Sequence, residues 1–299
     1  MSEIEFLTKT NRFIRHWVVS TKAIFECAYK PEFLYPAFIV GGAFLGSVAL
    51  SKLSVGPLLL LCFSLSMYFG YGNENGLQVN EFVKNLFTRK LHQDYILLIM
   101  NCNKYRYKAE KQLKTWLPTI PSTIVYFHVL GDPECATPFC FDYEKRILWV
   151  KTNDDYNSLP HKVISAYEAV EKTYNYKYIL KTDDDQQLSD PGFFKMLMRS
   201  LDESKCKIHY GGHIVNVDTP HISKYYLFHP ELPRNLLINA TKYCNGRFYL
   251  LSKEATQYLL SKKKFIQKEY LEDYAIGFYL HSNFKQPIFY IDSKKYFHD

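Results

Sequence analysis

The chain has 299 residues, 47% hydrophobic and 17% aromatic, which is enough apolar material for a large core and excludes a disordered polymer. Its net charge of +7 is scattered apart from Lys262 to Lys264, so the concentrated basic surface of a nucleic-acid binder is missing and no nucleic-acid partner is expected. Seven cysteines without a CxxC pair give no zinc signature, and the spacing of Cys135 and Cys140 is compatible with a bridge or with two free thiols.

In chain order, residues 1–32 come first, with Lys9, Arg12, Arg15 and Lys22 set among Phe6, Phe13, Ile14, Trp17, Val18 and Ile24. That spacing predicts a basic amphipathic helix lying on an anionic membrane surface. Residues 33–72 follow, almost uninterrupted apolar sequence with Lys52 as its one charge. A bilayer core needs about 20 apolar residues, so the block is one long tilted helix or two short ones. The break at Ser51 to Ser54, with Gly56-Pro57 behind it, favours a hairpin, and Gly42 and Gly46 allow close helix approach. Residues 73–91 read as a turn and a connecting helix carrying Lys84, Arg89 and Lys90. Basic residues flank both outer ends of the block, so both flanks prefer the cytosol and the domain at 92–299 is expected there. The sequon Asn239-Ala240-Thr241 leaves a lumenal domain open.

From Asp94 onward strands and helices alternate. Asp94 to Met100, Ile124 to Leu130, Ile147 to Val150 and Tyr178 to Leu180 are short apolar runs suited to buried strands. Tyr105 to Trp116, stopped by Pro118, and Leu159 to Tyr174 have helical spacing, as does the stretch from Tyr270 to Leu280. This alternation predicts an α/β fold, a mostly parallel sheet with helices on both faces. Ligands of such sheets bind at the carboxyl ends of the strands.

The fourth strand runs into Lys181-Thr182-Asp183-Asp184-Asp185. Three consecutive carboxylates repel one another unless a cation or hydrogen-bond donors neutralise them, so a ligand is expected there. Continued strand alternation would put Asp183 and Asp185 on one side and Asp184 on the other, one carboxylate on a divalent metal and another on a ribose hydroxyl.

Tyr178 to Asp185 resembles the "Y-[VI]-L-K-T-D-D-D" segment of the β1,3-glycosyltransferase family that includes the β1,3-galactosyltransferases, their N-acetylglucosaminyltransferase relatives and Fringe. Further segments resemble that family in order: Tyr156 to Leu159, Tyr243 to Ser252, Glu272 to Gly277 and Phe297-His298. The family's early "R-R-x-A-I-R-x-T-W" stretch is reduced here to Thr115-Trp116, with Arg106 out of register, and Arg247 stands where glycine is frequent.

The resemblance implies a GT-A fold, a Rossmann-like mixed sheet flanked by helices, with a UDP-sugar donor, a glycan or glycoconjugate acceptor and Mn²⁺ on the donor's diphosphate. It implies Asp185 and His298 as metal ligands, with Asp183 and Asp184 near the ribose and the metal shell. Gly246 and Glu272 are expected beside the donor, and Asp273 as the base of an inverting transfer that forms a β1,3-type linkage. Such chemistry needs a cation against the departing diphosphate and a base on the opposite face of the sugar. Members of the family typically carry one N-terminal anchor and a lumenal enzyme, from which the hairpin expectation departs. Two other readings use the same acidic triplet or the same shape: a metal-dependent nucleotidyl or phosphoryl transferase, disfavoured by the lack of a phosphate-cradling glycine run, and an inactive membrane-bound carbohydrate-binding scaffold.

Overall fold

The computed structural model describes residues 90–299. The expected amphipathic segment, the apolar block and nearly all of the connecting helix lie outside the described residues. Among the described residues no helix is long and apolar enough to cross a membrane.

The elements begin with β1 (Leu91–His92) and β2 (Tyr95–Met100), followed by α1 (Arg106–Lys114), β3 (Ile124–Gly131), β4 (Phe139–Asp142) and β5 (Ile147–Val150). Next come α2 (Leu159–Thr173), β6 (Tyr174–Asn175), β7 (Tyr178–Asp183), β8 (Gln187–Leu188), α3 (Phe193–Asp202) and β9 (Tyr210–Val217). A minor pair, β10 (His221–Ile222) and β11 (Leu237–Ile238), precedes the long β12 (Thr241–Ser252). The chain closes with α4 (Lys253–Ser261), α5 (Lys263–Ile266), α6 (Glu272–Tyr279), β13 (Ile288–Tyr290), α7 (Ser293–Tyr296) and β14 (Phe297–His298).

Eight strands form the main sheet in the order β13-β9-β12-β7-β2-β3-β5-β4. The sheet is mixed, as expected for a GT-A arrangement, and not mostly parallel as the strand and helix alternation alone predicts. The pairs β2–β3, β2–β7, β3–β5 and β9–β13 are parallel, while β7–β12, β9–β12 and β4–β5 are antiparallel. The reason lies in the connections. Crossovers through α1, α2 and α3 return the chain in the same direction, and the α3 crossover leaves a gap between β7 and β9. β12 enters that gap without a preceding crossover helix, and so runs the other way.

The central β2 is buried on both faces, and its alternation assigns the two cores. Ile96, Leu98 and Met100 join Val163, Tyr167 and Val170 of α2, Leu259 of α4 and Ile276 of α6. Tyr95, Leu97 and Ile99 join Trp116, Leu117, Phe194 and Leu197 of α3, and Phe297. Trp116 is thus a core residue. Helices form where the sequence supplies starts and faces. Pro160 sits in the first turn of α2. The side chain of Ser252 caps α4 by accepting from the Ala255 N–H. Phe193, Phe194, Leu197 and Leu201 give α3 one buried side. All five cysteines of the described residues are free thiols, Cys135 and Cys140 included.

Candidate functional site

β7 is regular only as far as Asp183, after which the chain turns. Strand alternation therefore stops before Asp184, and the three carboxylates separate differently from the expected pattern. Asp183 stays on the face of Lys181, whose Nζ donates to its Oδ1 at 2.7 Å. Asp184 and Asp185 instead share one ammonium: Lys108 Nζ lies 3.3 Å from Asp184 Oδ1 and 3.5 Å from Asp185 Oδ2. Of this pair Asp184 is mostly buried, whereas the Asp185 side chain is 46% exposed.

The second part of the site is a bulge in β12. Register with β9 shifts between Cys244 and Tyr249, which turns the backbone of Gly246 toward β7 and α6. The Gly246 N–H donates to Asp273 Oδ2 at 2.9 Å, and its carbonyl accepts from Lys181 Nζ at 2.9 Å. A Cβ at Gly246 would lie 3.2 Å from Lys181 Nζ, 3.4 Å from Asp183 Oδ2 and 3.5 Å from Asp273 Oδ2. Two carboxylates and an ammonium thus converge on one point, and a Cβ there would press most closely on the Lys181 ammonium.

The third part is the N-terminus of α6. Glu272 and Asp273 both occupy its first turn, where negative charge complements the helix dipole. They face opposite ways. Glu272 is directed into the core, 3.0 Å from Lys181 Nζ, and accepts from the Tyr249 hydroxyl, which in turn bonds the Tyr167 hydroxyl at 2.6 Å. Expected beside the donor, Glu272 lies beneath the site instead, in a closed buried network. Asp273 is half-buried, and its Oδ1 accepts from the Tyr274 N–H while Oδ2 faces the bulge.

The fourth part is the C-terminal segment. β14 pairs with β8, which sets His298 opposite Gln187, two positions past Asp185. The Nδ1 of His298 shares a hydrogen bond of 2.9 Å with Ser189 Oγ. Arg247 holds this segment down, donating from Nη1 to the Phe297 carbonyl at 3.1 Å and from Nη2 to Asp299 at 3.2 and 3.3 Å. Gln186 Nε2 bridges Asp185 Oδ1 at 2.9 Å and Asp299 Oδ1 at 2.6 Å. The arginine that replaces a frequent glycine therefore ties the C-terminal segment to β12, and Gln186 ties that segment to the acidic turn.

Burial governs the electrostatics. It pushes Asp183 up to about 6, against the pull of Lys181 and with Glu272 adding to the rise. It pushes Asp184 up to about 6 as well, opposed by Lys108 and reinforced by Asp185. Glu272 and Asp273 are raised for the same reason, with Lys181 opposing in both. Lys181 remains a firm cation because Asp183 and Glu272 outweigh its own desolvation. The phenols of Tyr156, Tyr225 and Tyr243 are raised first by burial; Asp273 comes next for Tyr225 and Tyr243, and follows Tyr225 for Tyr156. Tyr156 stacks on His229 with ring centroids 3.9 Å apart, and His229 stacks on Tyr225 at 5.7 Å. A cavity of about 320 Å³ lined by Phe193, Met196, Leu197, Phe289, Tyr290 and Tyr296 contains none of these carboxylates.

Asp183, Asp273 and Gly246, far apart in sequence, are thus brought together, and Asp184 and Asp185 adjoin them along the turn. His298 is placed beside the turn by strand pairing, and Glu272 is joined to Asp183 through the Lys181 ammonium that both share. Sequence reasoning missed Lys181 and Lys108 as members of the site. A signal for Lys181 existed: a lysine inside an apolar strand requires a buried carboxylate partner. Lys108 lies among the charged residues of α1, and only the docking of that helix selects it.

A sequence profile of the galactosyltransferase family matches residues 113–284, a span that contains the acidic triplet, Gly246 and the Glu272-Asp273 pair. No curated protein sequence matches the chain significantly. Solved structures with a loosely similar course include the glycosyltransferase GlyE of Streptococcus pneumoniae TIGR4, at 11% identity over 68% of this chain and 46% of that one, with a TM-score of 0.36. Core-mannan synthase A of Aspergillus fumigatus in an Mn/GDP form matches at 11% identity over 69% and 74% of the two chains, TM-score 0.38. Mouse xyloside xylosyltransferase 1 in its apo form matches at 10% identity over 67% and 84%, TM-score 0.34. The chain spans about half the length of GlyE. Such overlaps are loose, and the assignment rests on the sequence match. Because that match runs through more than half of the chain and through the carboxylates gathered at the end of β7, this protein belongs to the galactosyltransferase family.

Proposed function

We propose that the protein transfers a hexose or N-acetylhexosamine from a UDP-sugar to a hydroxyl of a glycan or glycoconjugate, with inversion at the anomeric carbon and a β1,3-type linkage, on a GT-A architecture. The observation that carries this reading is the convergence of Asp183 and Asp273 on the side-chain-free Gly246, next to the acidic turn. The absence of a side chain at Gly246 lets Lys181, Asp183 and Asp273 close on one point at the edge of the acidic turn, where donor and acceptor would meet in this reading. In this reading Asp185 and His298 hold Mn²⁺, Asp183 and Asp184 lie toward the ribose and the metal shell, and Asp273 takes the proton of the acceptor hydroxyl. On the same reading Tyr156 and Tyr225, which stack with His229, supply ring faces for an acceptor sugar.

The residues fit a divalent cation. Asp184 and Asp185 already share a single cationic group. With its Nδ1 used by Ser189, His298 keeps Nε2 as a ligand nitrogen. Among the described residues no three His, Cys, Asp or Glu converge on one point; a cation held by Asp185 and His298 would keep coordination positions open for the donor's diphosphate and for water. Bound Mn²⁺ supplies neutralisation of the charge that builds on the departing diphosphate.

Calorimetric titration of UDP in the presence of Mn²⁺ tests the reading. Asp185→Ala is expected to weaken UDP binding about ten- to a hundredfold, the range for losing support of a metal ligand set. Unchanged affinity in the variant would remove Asp185 from the metal site.

A further inference from the structure

Four residues of one chain segment hold the acidic turn in place. Gln112 Nε2 donates to the carbonyls of Asp183 at 3.1 Å and Gln186 at 2.9 Å, and Trp116 Nε1 donates to the same Gln186 carbonyl at 3.1 Å. Thr115 Oγ1 donates to Gln187 Oε1 at 2.9 Å. With Lys108 these residues follow the spacing i, i+4, i+7 and i+8, one face of α1 and its continuation. Three of them bond the backbone or an amide of the turn. Lys108 alone reaches carboxylates, and it stands where both Asp184 and Asp185 accept from it. The Tyr105 ring, 4.8 Å from Nζ, borders the ammonium on the helix side.

This position conflicts with metal binding. A divalent cation on the same carboxylates and an ammonium between them would repel, and the flexible four-carbon stem of lysine gives the ammonium somewhere else to go. We propose that Lys108 is the exchangeable counter-ion of the acidic turn: it neutralises Asp184 and Asp185 before the donor arrives, gives up that place to the metal, and turns onto the donor's diphosphate. In the exchange the carboxylates receive the metal as the ammonium leaves, so they are never without a cation beside them. It also gives Lys108 a role in donor binding that the metal ligands do not have. The inference rests on the metal and nucleotide function proposed above.

The test uses the full chain and the variant Lys108→Met, which keeps the stem and removes the charge. Two affinities are measured, that for Mn²⁺ alone by electron paramagnetic resonance of the free ion and that for UDP at saturating Mn²⁺ by calorimetry. The expected result is opposite shifts, with Mn²⁺ alone binding several-fold more tightly and UDP about tenfold more weakly, the scale for losing one charge-assisted hydrogen bond to phosphate. Lys108→Gln, which retains a neutral donor, is expected to repeat the Mn²⁺ shift, and thermal melting of both variants verifies that they fold. Mn²⁺ affinity that is unchanged or weaker in folded variants would overturn the exchange, as would unchanged UDP affinity. Failure of the underlying function looks different: the wild-type protein itself would not bind UDP in the presence of Mn²⁺.

Discussion

Lys181 lies fully within the protein, with Asp183 at 2.7 Å, Glu272 at 3.0 Å and the Gly246 carbonyl at 2.9 Å around its ammonium. Each of its donors has an acceptor, and Glu272 continues the network to the hydroxyls of Tyr249 and Tyr167. A buried charge this well satisfied is tolerated, and it fixes the side chains that surround it. Its consequence for function is directional. Lys181 consumes the charge of Glu272 inside the core, while Asp273, the adjacent residue, keeps a half-buried carboxylate against the bulge. Asp273→Asn is expected to fold, because an amide oxygen can still accept from the Gly246 or the Tyr274 N–H. Turnover is expected to fall at least about a hundredfold, the scale for a positioned general base, with UDP affinity in Mn²⁺ little changed. Release of UDP during transfer and calorimetry measure the two quantities separately, and near wild-type turnover would exclude Asp273 as the base.

At the scale of elements, the site depends on how closely α6 approaches β12. Gly277 is the contact. A Cβ there would come within 2.2 Å of Tyr243 Cβ and 2.7 Å of Tyr243 Cα, so backbone and not a flexible side-chain end would have to move. The closeness lets the first turn of α6 bring Asp273 to the Gly246 N–H in the bulged part of β12. Gly277→Ala is expected to cost about 1–3 kcal/mol, as overpacked contacts do, seen as a lower urea midpoint. Turnover is expected to fall in molecules that remain folded, because separating the two elements breaks the Asp273 contact. A variant with wild-type midpoint and turnover would show that the helix has room to spare. The bulge itself has the same logic as the end of β7: in both places regular strand geometry stops, and the backbone groups so released become the site.

At the scale of the whole chain, the membrane expectation concerns residues that lie outside the described ones, and it makes a prediction that needs no structure. A two-helix hairpin with both basic flanks in the cytosol requires that Asn239 carry no endoglycosidase-sensitive glycan in a eukaryotic cell. It also requires that the domain be digested by protease added to sealed microsomes. A glycosylated, protease-protected domain would instead mean a single crossing and a lumenal enzyme.

The strands β2, β3, β5 and β7 and the helices α1, α2 and α6 were legible because apolar runs bounded by turn residues, and periodic faces, are local properties. The acidic triplet was legible because three adjacent carboxylates are unfavourable wherever they fall. Two relations were not. The antiparallel place of β12 follows from the gap that the α3 crossover leaves in the sheet, and a gap is not written in any one segment. The partners of the carboxylates, Lys108 for Asp184 and Asp185 and Lys181 for Asp183 and Glu272, are separated from some of them by 76, 77 and more residues. By itself, then, the sequence determined which residues carry charge and where strands and helices form. Only the tertiary structure decided which charges face one another, because that depends on where β7 ends, where β12 bulges and how helices seat against the sheet.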